Sequence, residues 1–335
     1  MKKIILFIMG MALLTGCSFA GREKMVSRTE TLMGTFVQIK VHTAFPRGVQ
    51  REIDAVLGKA GGLERKFNIF DAESEVNSLN INKHIRASSE LLDVIEKAVN
   101  MSIVTDGKFD ITVSPILNAD GFYPDMPVEI KDRIPKEFGG VGWQNISIEE
   151  RTPDIFLSEN TWIDLSGIAK GYIVDKISKS LKDKKVLHFL INAGGDMYCT
   201  TRSPQEESWR IGIREPSTNG FILVLGLKNT AVATSGDYEN IVIEKESGTE
   251  LSHIIDPEVD RAKEKKSSSI TVIASTCAEA DALATAMMVM DEAQAVAFAD
   301  TLENVEVVAV SYAEGQRKVL FSEGAEKYIL RGNRA

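Results

Sequence analysis

The chain has 335 residues, 44% hydrophobic and 26% charged, with a formal net charge of −9 and three cysteines. This is ordinary globular material, enough for one large domain or two closely packed ones. The acidic balance and the lack of a Lys/Arg block exclude a nucleic-acid track, and cysteines with neither CxxC spacing nor zinc-interval histidines exclude a zinc ribbon.

In chain order, Lys2 and Lys3 precede the apolar run Ile4 to Leu14, and Leu14-Thr15-Gly16-Cys17 then sets a cysteine after two small residues. Basic region, short hydrophobic region and cysteine together predict a lipoprotein signal peptide over residues 1–16 and lipid on Cys17. The mature chain is then exported and held on a membrane surface by its lipid, facing away from the cytoplasm (the periplasmic side in a two-membrane cell). Removal of residues 1–16 takes away Lys2 and Lys3 and no acid, so the formal charge moves to −11. Residues 17–28 read as a polar tether and 29–335 as one folded domain.

Within that domain, Phe36 to Val41 alternates as a half-buried strand should, and residues near 49–66 and 90–105 carry helical spacing. Between the two helices, Asp71, Ser74, Glu75, Asn77 and Asn80 read as a polar loop behind the aromatic entrance Phe67 to Phe70. The Gly/Pro-rich stretch from Asn118 to Gly142 reads as a lid or surface excursion. A helix near 167–184 and a buried strand from Val186 to Ile191 follow. The second half is strand-rich, at 209–214, 221–227, 239–243, 270–274, 305–311 and 317–321, with one helix from Cys277 to Ala299. The basic cluster Arg261 to Lys266 reads as a solvated loop. Helices and strands do not alternate strictly enough for a doubly wound parallel sheet, so the predicted class is α+β with a largely antiparallel sheet. A Cys199–Cys277 disulfide is permitted in an exported protein but does not follow from sequence, and buried free thiols are the expected state.

Chemistry concentrates at the start of the late helix. Thr276-Cys277-Ala278-Glu279 fits a capping box and sets Asp281 and Thr285 one turn apart on one face. A carboxylate beside a hydroxyl is a hard-oxygen half-site suited to Mg²⁺, which takes few protein ligands and fills its octahedron with water and phosphate oxygens. The alanines and Leu283 around Asp281 leave it few polar neighbours, so a buried carboxylate there needs a partner. Gly167 and Gly171 bracket Lys170 where a turn enters a helix, a geometry that brings backbone N–H groups close to phosphate. Neither a Walker A pattern nor a GxGxxG fingerprint is present. The glycines of Asn192-Ala193-Gly194-Gly195-Asp196 form either a plain turn or an approach to a ligand. His253, one of four histidines, is the candidate proton-transfer group, with Asp256 beside it to orient the ring.

These segments resemble the ApbE family of FAD:protein FMN transferases. The likeness runs from about Thr29 to the strands near 320. It rests on an ordered series: Met33-Gly34-Thr35, Phe67 to Phe70 with Ser74 to Asn80, Phe109 to Val113, Asp164 to Tyr172, Asn192 to Asp196, Thr234 to Tyr238, His253 to Pro257 and Ala280 to Ala286.

The resemblance implies a Mg²⁺-dependent transfer of FMN from FAD to a threonine hydroxyl of an exported partner flavoprotein, with AMP released and residues 29–335 as the catalytic domain. It implies that Met33, Phe70, Lys108, Phe109 and Asp110 line the FAD site and that Lys170, Lys176 and Ile255 make further contacts to the flavin nucleotide. It makes Asp281, Thr285 and the backbone carbonyl near Ile173 the metal ligands and His253 the base for the incoming threonine. Two departures stand out: Glu258-Val259-Asp260 replaces a Thr-Gly turn common after the His-x-x-Asp-Pro segment, and Phe70 lacks the hydroxyl of a tyrosine common there. Hydrolysis of FAD to FMN and AMP, with water replacing the threonine, and non-catalytic flavin binding are the alternatives.

Overall fold

The computed structural model describes residues 23–332 apart from 219, 245, 246 and 314. The expected signal peptide and Cys17 lie outside the described residues, and among those described no helix is long and apolar enough to cross a membrane. Buried Val37, Ile39 and Val41 turn one face of strand β2 (Thr35–Thr43) into the core. Its antiparallel partner is β1 (Lys24–Leu32). Strand β1 thus includes residues 24–28 of the stretch read as a tether, ahead of Thr29.

The first half continues through α1 (Pro46–Phe67), α2 (Glu75–Asn82), β3 (His84–Arg86), α3 (Ser89–Val104), α4 (Ser114–Ala119), α5 (Val128–Lys131), β4 (Ile146–Ile148), β5 (Asp154–Leu157) and α6 (Ser166–Asp183). Strands β6 (Phe189–Ala193), β7 (Asp196–Thr200), β8 (Trp209–Arg214), β9 (Phe221–Leu227), β10 (Thr230–Gly236), β11 (Ile241–Ile243), β12 (Glu250–Asp256), β13 (Arg261–Glu264) and β14 (Ser269–Ala274) follow. Helices α7 (Cys277–Val289) and α8 (Glu292–Ala299) and strands β15 (Glu306–Ala313), β16 (Gln316–Phe321) and β17 (Ile329–Gly332) complete the chain.

An eight-stranded antiparallel sheet in the order β1-β2-β6-β7-β10-β14-β15-β16 organises the molecule, so the class is α+β, as expected. One face carries the main core with the helices. The other packs Leu190, Val232, Ile273, Val308 and Val310 against Ile211, Ile213, Leu223, Leu225 and Leu227 of the small sheet β17-β9-β8. With both faces covered, β14 is buried along its whole length, Ser269 and Thr271 included.

Helix α7 is apolar on nearly every side and packs against α6, β10 and β14. It crosses α6 at Gly171, where a Cβ would stand 2.3 Å from the Cys277 carbonyl oxygen, so only glycine permits this approach. Cys277 and Cys199 are buried and free.

Four local expectations change. Residues 75–82 are helical: the Ser74 hydroxyl caps the helix by accepting from Asn77 N at 3.2 Å. Residues 261–264 form β13 rather than a loop, and Lys263 reaches the last carbonyls of α7 at Met288 and Val289. The helix foreseen over 277–299 is two helices, because Asp291 makes a capping box with Gln294 and starts α8 anew. Finally, the 118–142 stretch is a packed wall, held by buried Tyr123, Met126, Ile130 and Ile134.

Candidate active site

Where α6 begins, α7 passes and β10 to β12 end, the chain leaves a cavity of about 530 Å³. Phe70, Lys108, Phe109, Asp110, Lys170, His253, Ile255, Asp281 and Thr285 all line it, from five separate stretches of sequence. The volume lies within the usual range for small-molecule and cofactor pockets, roughly 300–1,000 Å³.

The floor is built by the α6–α7 crossing. Asp281 is 3% exposed, and its Oδ2 accepts from Gly171 N at 2.9 Å. Lys170 Nζ lies 3.4 Å from Asp281 Oδ1 and in direct hydrogen-bonding contact with Asp196 Oδ2. Burial first, and the nearby Asp196 charge second, raise the Asp281 carboxyl well above its ordinary range, while Lys170 opposes the shift. The two carboxylates hold Lys170 charged despite its desolvation. Thr285 Oγ1 donates to the Asp281 carbonyl at 3.2 Å and lies 3.4 Å from Ser235 Oγ on β10.

Among the described residues no cluster of three or more His, Cys, Asp or Glu gathers as a metal site. Asp281 and Thr285 nevertheless offer the cavity a carboxylate and a hydroxyl oxygen, a two-oxygen half-site. Such a donor set fits Mg²⁺, whose remaining positions go to water and phosphate oxygens. The first turn of α6 adds the Gly167 backbone, packed so closely that a Cβ there would stand 3.1 Å from the Phe109 ring. Ser166 N is already taken by Asp164 Oδ1 at 2.8 Å.

His253 faces the cavity from β12. Its Nδ1 lies 3.0 Å from the Glu239 carbonyl oxygen. A carbonyl only accepts, so the neutral ring carries its proton on Nδ1 and presents Nε2 as the free lone pair. Burial, helped by the Lys170 charge, lowers the His253 pKa and keeps the ring neutral at physiological pH. The orienting group is thus the Glu239 backbone and not Asp256, whose carboxylate accepts from Glu258 N at 3.1 Å.

The aromatic wall joins Phe70, 40% exposed, edge-on to Tyr123 with ring centroids 5.7 Å apart. The Tyr123 hydroxyl donates to Asp164 Oδ2 at 2.8 Å, and burial pushes both groups up, so the tyrosine stays protonated. Asp110 lines the cavity, yet its carboxylate is spent on Thr112 N, Thr112 Oγ1 and Trp143 N at 2.8, 2.6 and 2.7 Å. Lys108 pairs with Glu258 at 2.6 Å. Asp260 adopts φ +51°, the left-handed conformation for which glycine is ordinarily chosen, so the divergent Glu258-Val259-Asp260 segment still turns.

Three expected residues are not brought to the cavity lining. Lys176 bonds Asp93 at 2.7 Å and lies over the Tyr172 ring in a groove between α1, α3 and α6. Met33 has φ +56° and donates its backbone N–H to Glu64 at 2.7 Å. Ile173 is buried in mid-helix, where a carbonyl is already engaged by the amide four residues on. Tyr123 and Glu239, by contrast, line the cavity without having been singled out, and Ser235 joins them from the Thr234 to Tyr238 segment, to which no role was given. Gly194 and Gly195 make a two-residue hairpin turn, both with positive φ, and so belong to the turn reading.

The profile of the ApbE family matches residues 33–309. The chain is 29% identical over 319 residues to the FAD:protein FMN transferase of Haemophilus influenzae, covering 90% of this chain and 91% of that one. It is 28% identical over 309 residues to the enzyme of the same name from Vibrio cholerae, with the same coverage. Among solved structures, an ApbE protein from Thermotoga maritima superposes with a TM-score of 0.78 at 28% identity, covering 91% of this chain and 99% of that one. The flavin transferase ApbE from Vibrio cholerae superposes with a TM-score of 0.76 at 26% identity and the same coverage. With this sequence match and this shared architecture, the chain belongs to the ApbE family.

Proposed function

We propose that this chain transfers the FMN moiety of FAD to a threonine hydroxyl of an exported partner flavoprotein, using Mg²⁺ and releasing AMP, and that it works outside the cytoplasm, lipid-anchored through Cys17. The observation that carries the reading is a single cavity in which Asp281, Thr285, Lys170 and His253 converge beside an aromatic wall. The names of the relatives support the flavin chemistry, and the Leu14-Thr15-Gly16-Cys17 pattern supports the anchor.

Asp281 and Thr285 would hold the Mg²⁺, whose chemistry there is charge neutralisation on the pyrophosphate. Lys170 adds a fixed positive charge at the same floor. His253 Nε2 accepts the threonine proton as the threonine oxygen forms its bond to the FMN-side phosphorus, and the bond from that phosphorus to the bridging oxygen breaks, so AMP carries that oxygen away. Phosphoryl transfer of this kind asks mainly for positioning and electrostatic stabilisation. Phe70 offers the ring face against which adenine or flavin stacks.

Incubating the chain with FAD, Mg²⁺ and a threonine-bearing acceptor protein, followed by mass measurement of the acceptor, tests this. A gain equal to one FMN supports transfer; free FMN with unmodified acceptor marks a pyrophosphatase, and unchanged FAD marks a carrier.

A further inference from the structure

We infer that Asp196 is a positioning residue that holds the Lys170 ammonium off Asp281, leaving that carboxylate open to a divalent cation. The inference rests on the metal reading above and adds a residue to it. Asp196 is 2% exposed and does not line the cavity. It stands behind Lys170, fixed as the first residue of β7 by the Gly194-Gly195 turn.

The geometry is asymmetric. Lys170 Nζ is in direct contact with Asp196 Oδ2 but 3.4 Å from Asp281 Oδ1. Asp281 Oδ2 is engaged by Gly171 N at 2.9 Å, so Oδ1 is the oxygen for which an ammonium and a metal ion compete. With Asp196 ionised, one ammonium is shared between two buried carboxylates, and the net charge of the three groups is negative. Without the Asp196 charge, Asp281 is the remaining carboxylate in ion-pair contact with Lys170, which becomes a resident cation on the metal's oxygen. Both carboxylates are nearly fully buried, so a charge pair with either is screened less than a surface pair and the competition matters.

The test uses Mn²⁺ as a stand-in for Mg²⁺, titrated into the full folded chain without FAD, with free ion read by electron paramagnetic resonance and folding followed by thermal unfolding. Wild type binds Mn²⁺, and D281N abolishes that binding. D196N weakens it about tenfold, or about 1.4 kcal/mol. The double variant D196N/K170M, which removes the competing ammonium as well, regains at least wild-type affinity. That variant keeps the test decidable if D196N alone folds poorly. Wild-type affinity in folded D196N, or a double variant weaker than wild type, overturns the inference while leaving the metal reading intact. Equal binding by wild type and D281N, or none by either, overturns both.

Discussion

Lys170 and Lys176, two of the four lysines of helix α6, stand six residues apart and meet opposite fates. Lys170 faces the cavity floor and bridges Asp196 and Asp281, whereas Lys176 lies in the outer groove against Asp93 and the Tyr172 ring. Six residues at 3.6 per turn rotate a side chain by about 240°, so both cannot look into the same cavity. The first sits between buried carboxylates where charge is costly to misplace; the second is in a half-exposed pair of the kind that contributes little. Residue type and helix are shared, and the function each lysine can serve is set by the face alone.

The sharpest way to break this contrast is at the floor. Asp281→Asn keeps the side-chain shape and should lower Mg²⁺-dependent transfer by about 10² to 10³, the scale of losing a pre-organised charge group, while far-UV circular dichroism stays native; near-normal turnover would refute the floor assignment. His253→Gln should reduce kcat by about 10² or more at unchanged FAD affinity, as for a lost general base. A pH–rate profile adds a second readout: wild-type activity falls as pH drops through the lowered His253 pKa, and the variant lacks that limb.

Burial and Asp196 push the Asp281 carboxyl up to about 7 from an ordinary 3.8. In metal-free protein the folded state then holds a proton that the unfolded state has released, so this group's contribution to stability is present below the ordinary value and is lost as pH rises toward about 7. A cation competes with that proton. The rise in Tm on adding Mg²⁺ should therefore grow between pH 5 and about 8, and a pH-independent rise would contradict the site. Phe70→Ala should weaken FAD binding by about tenfold, the range for a lost base-stacking ring, with kcat little changed; calorimetric titration reads it. Smallest of all, Lys176→Ala should alter kcat/KM less than about twofold, as expected for a partly exposed ion pair outside the cavity. A large loss would bring the outer groove into the reaction and erase the contrast.

Much of this was legible from residue pattern. The Thr276 cap placed Asp281 and Thr285 one turn apart on the helix that lines the cavity, and alternation at Val37, Ile39 and Val41 located β2. Helix α2 was illegible because its buried side chains include Asn77 and Asn80, which tie Ile69, Asp71 and Ile163 by amide hydrogen bonds and give no apolar period. The orientation of His253 was assigned to a sequence neighbour, but the partner is a carbonyl 14 residues away that sequence spacing does not reveal. Likewise Asp196 and Asp281 meet Lys170 across 26 and 111 residues, through a turn and a helix crossing that depend on Gly194, Gly195 and Gly171. Lys176, in contrast, could have been separated from Lys170 by helical rotation alone.

The measurement that bears most directly on the central claim is a crystal structure with FAD and Mn²⁺, read by anomalous scattering from the metal. The account predicts an anomalous peak ligated by Asp281 and Thr285, at roughly 2.0–2.3 Å from their oxygens on the hard-cation scale, with the FAD pyrophosphate completing its coordination. A pyrophosphate and metal bound elsewhere, away from those two residues, would contradict it.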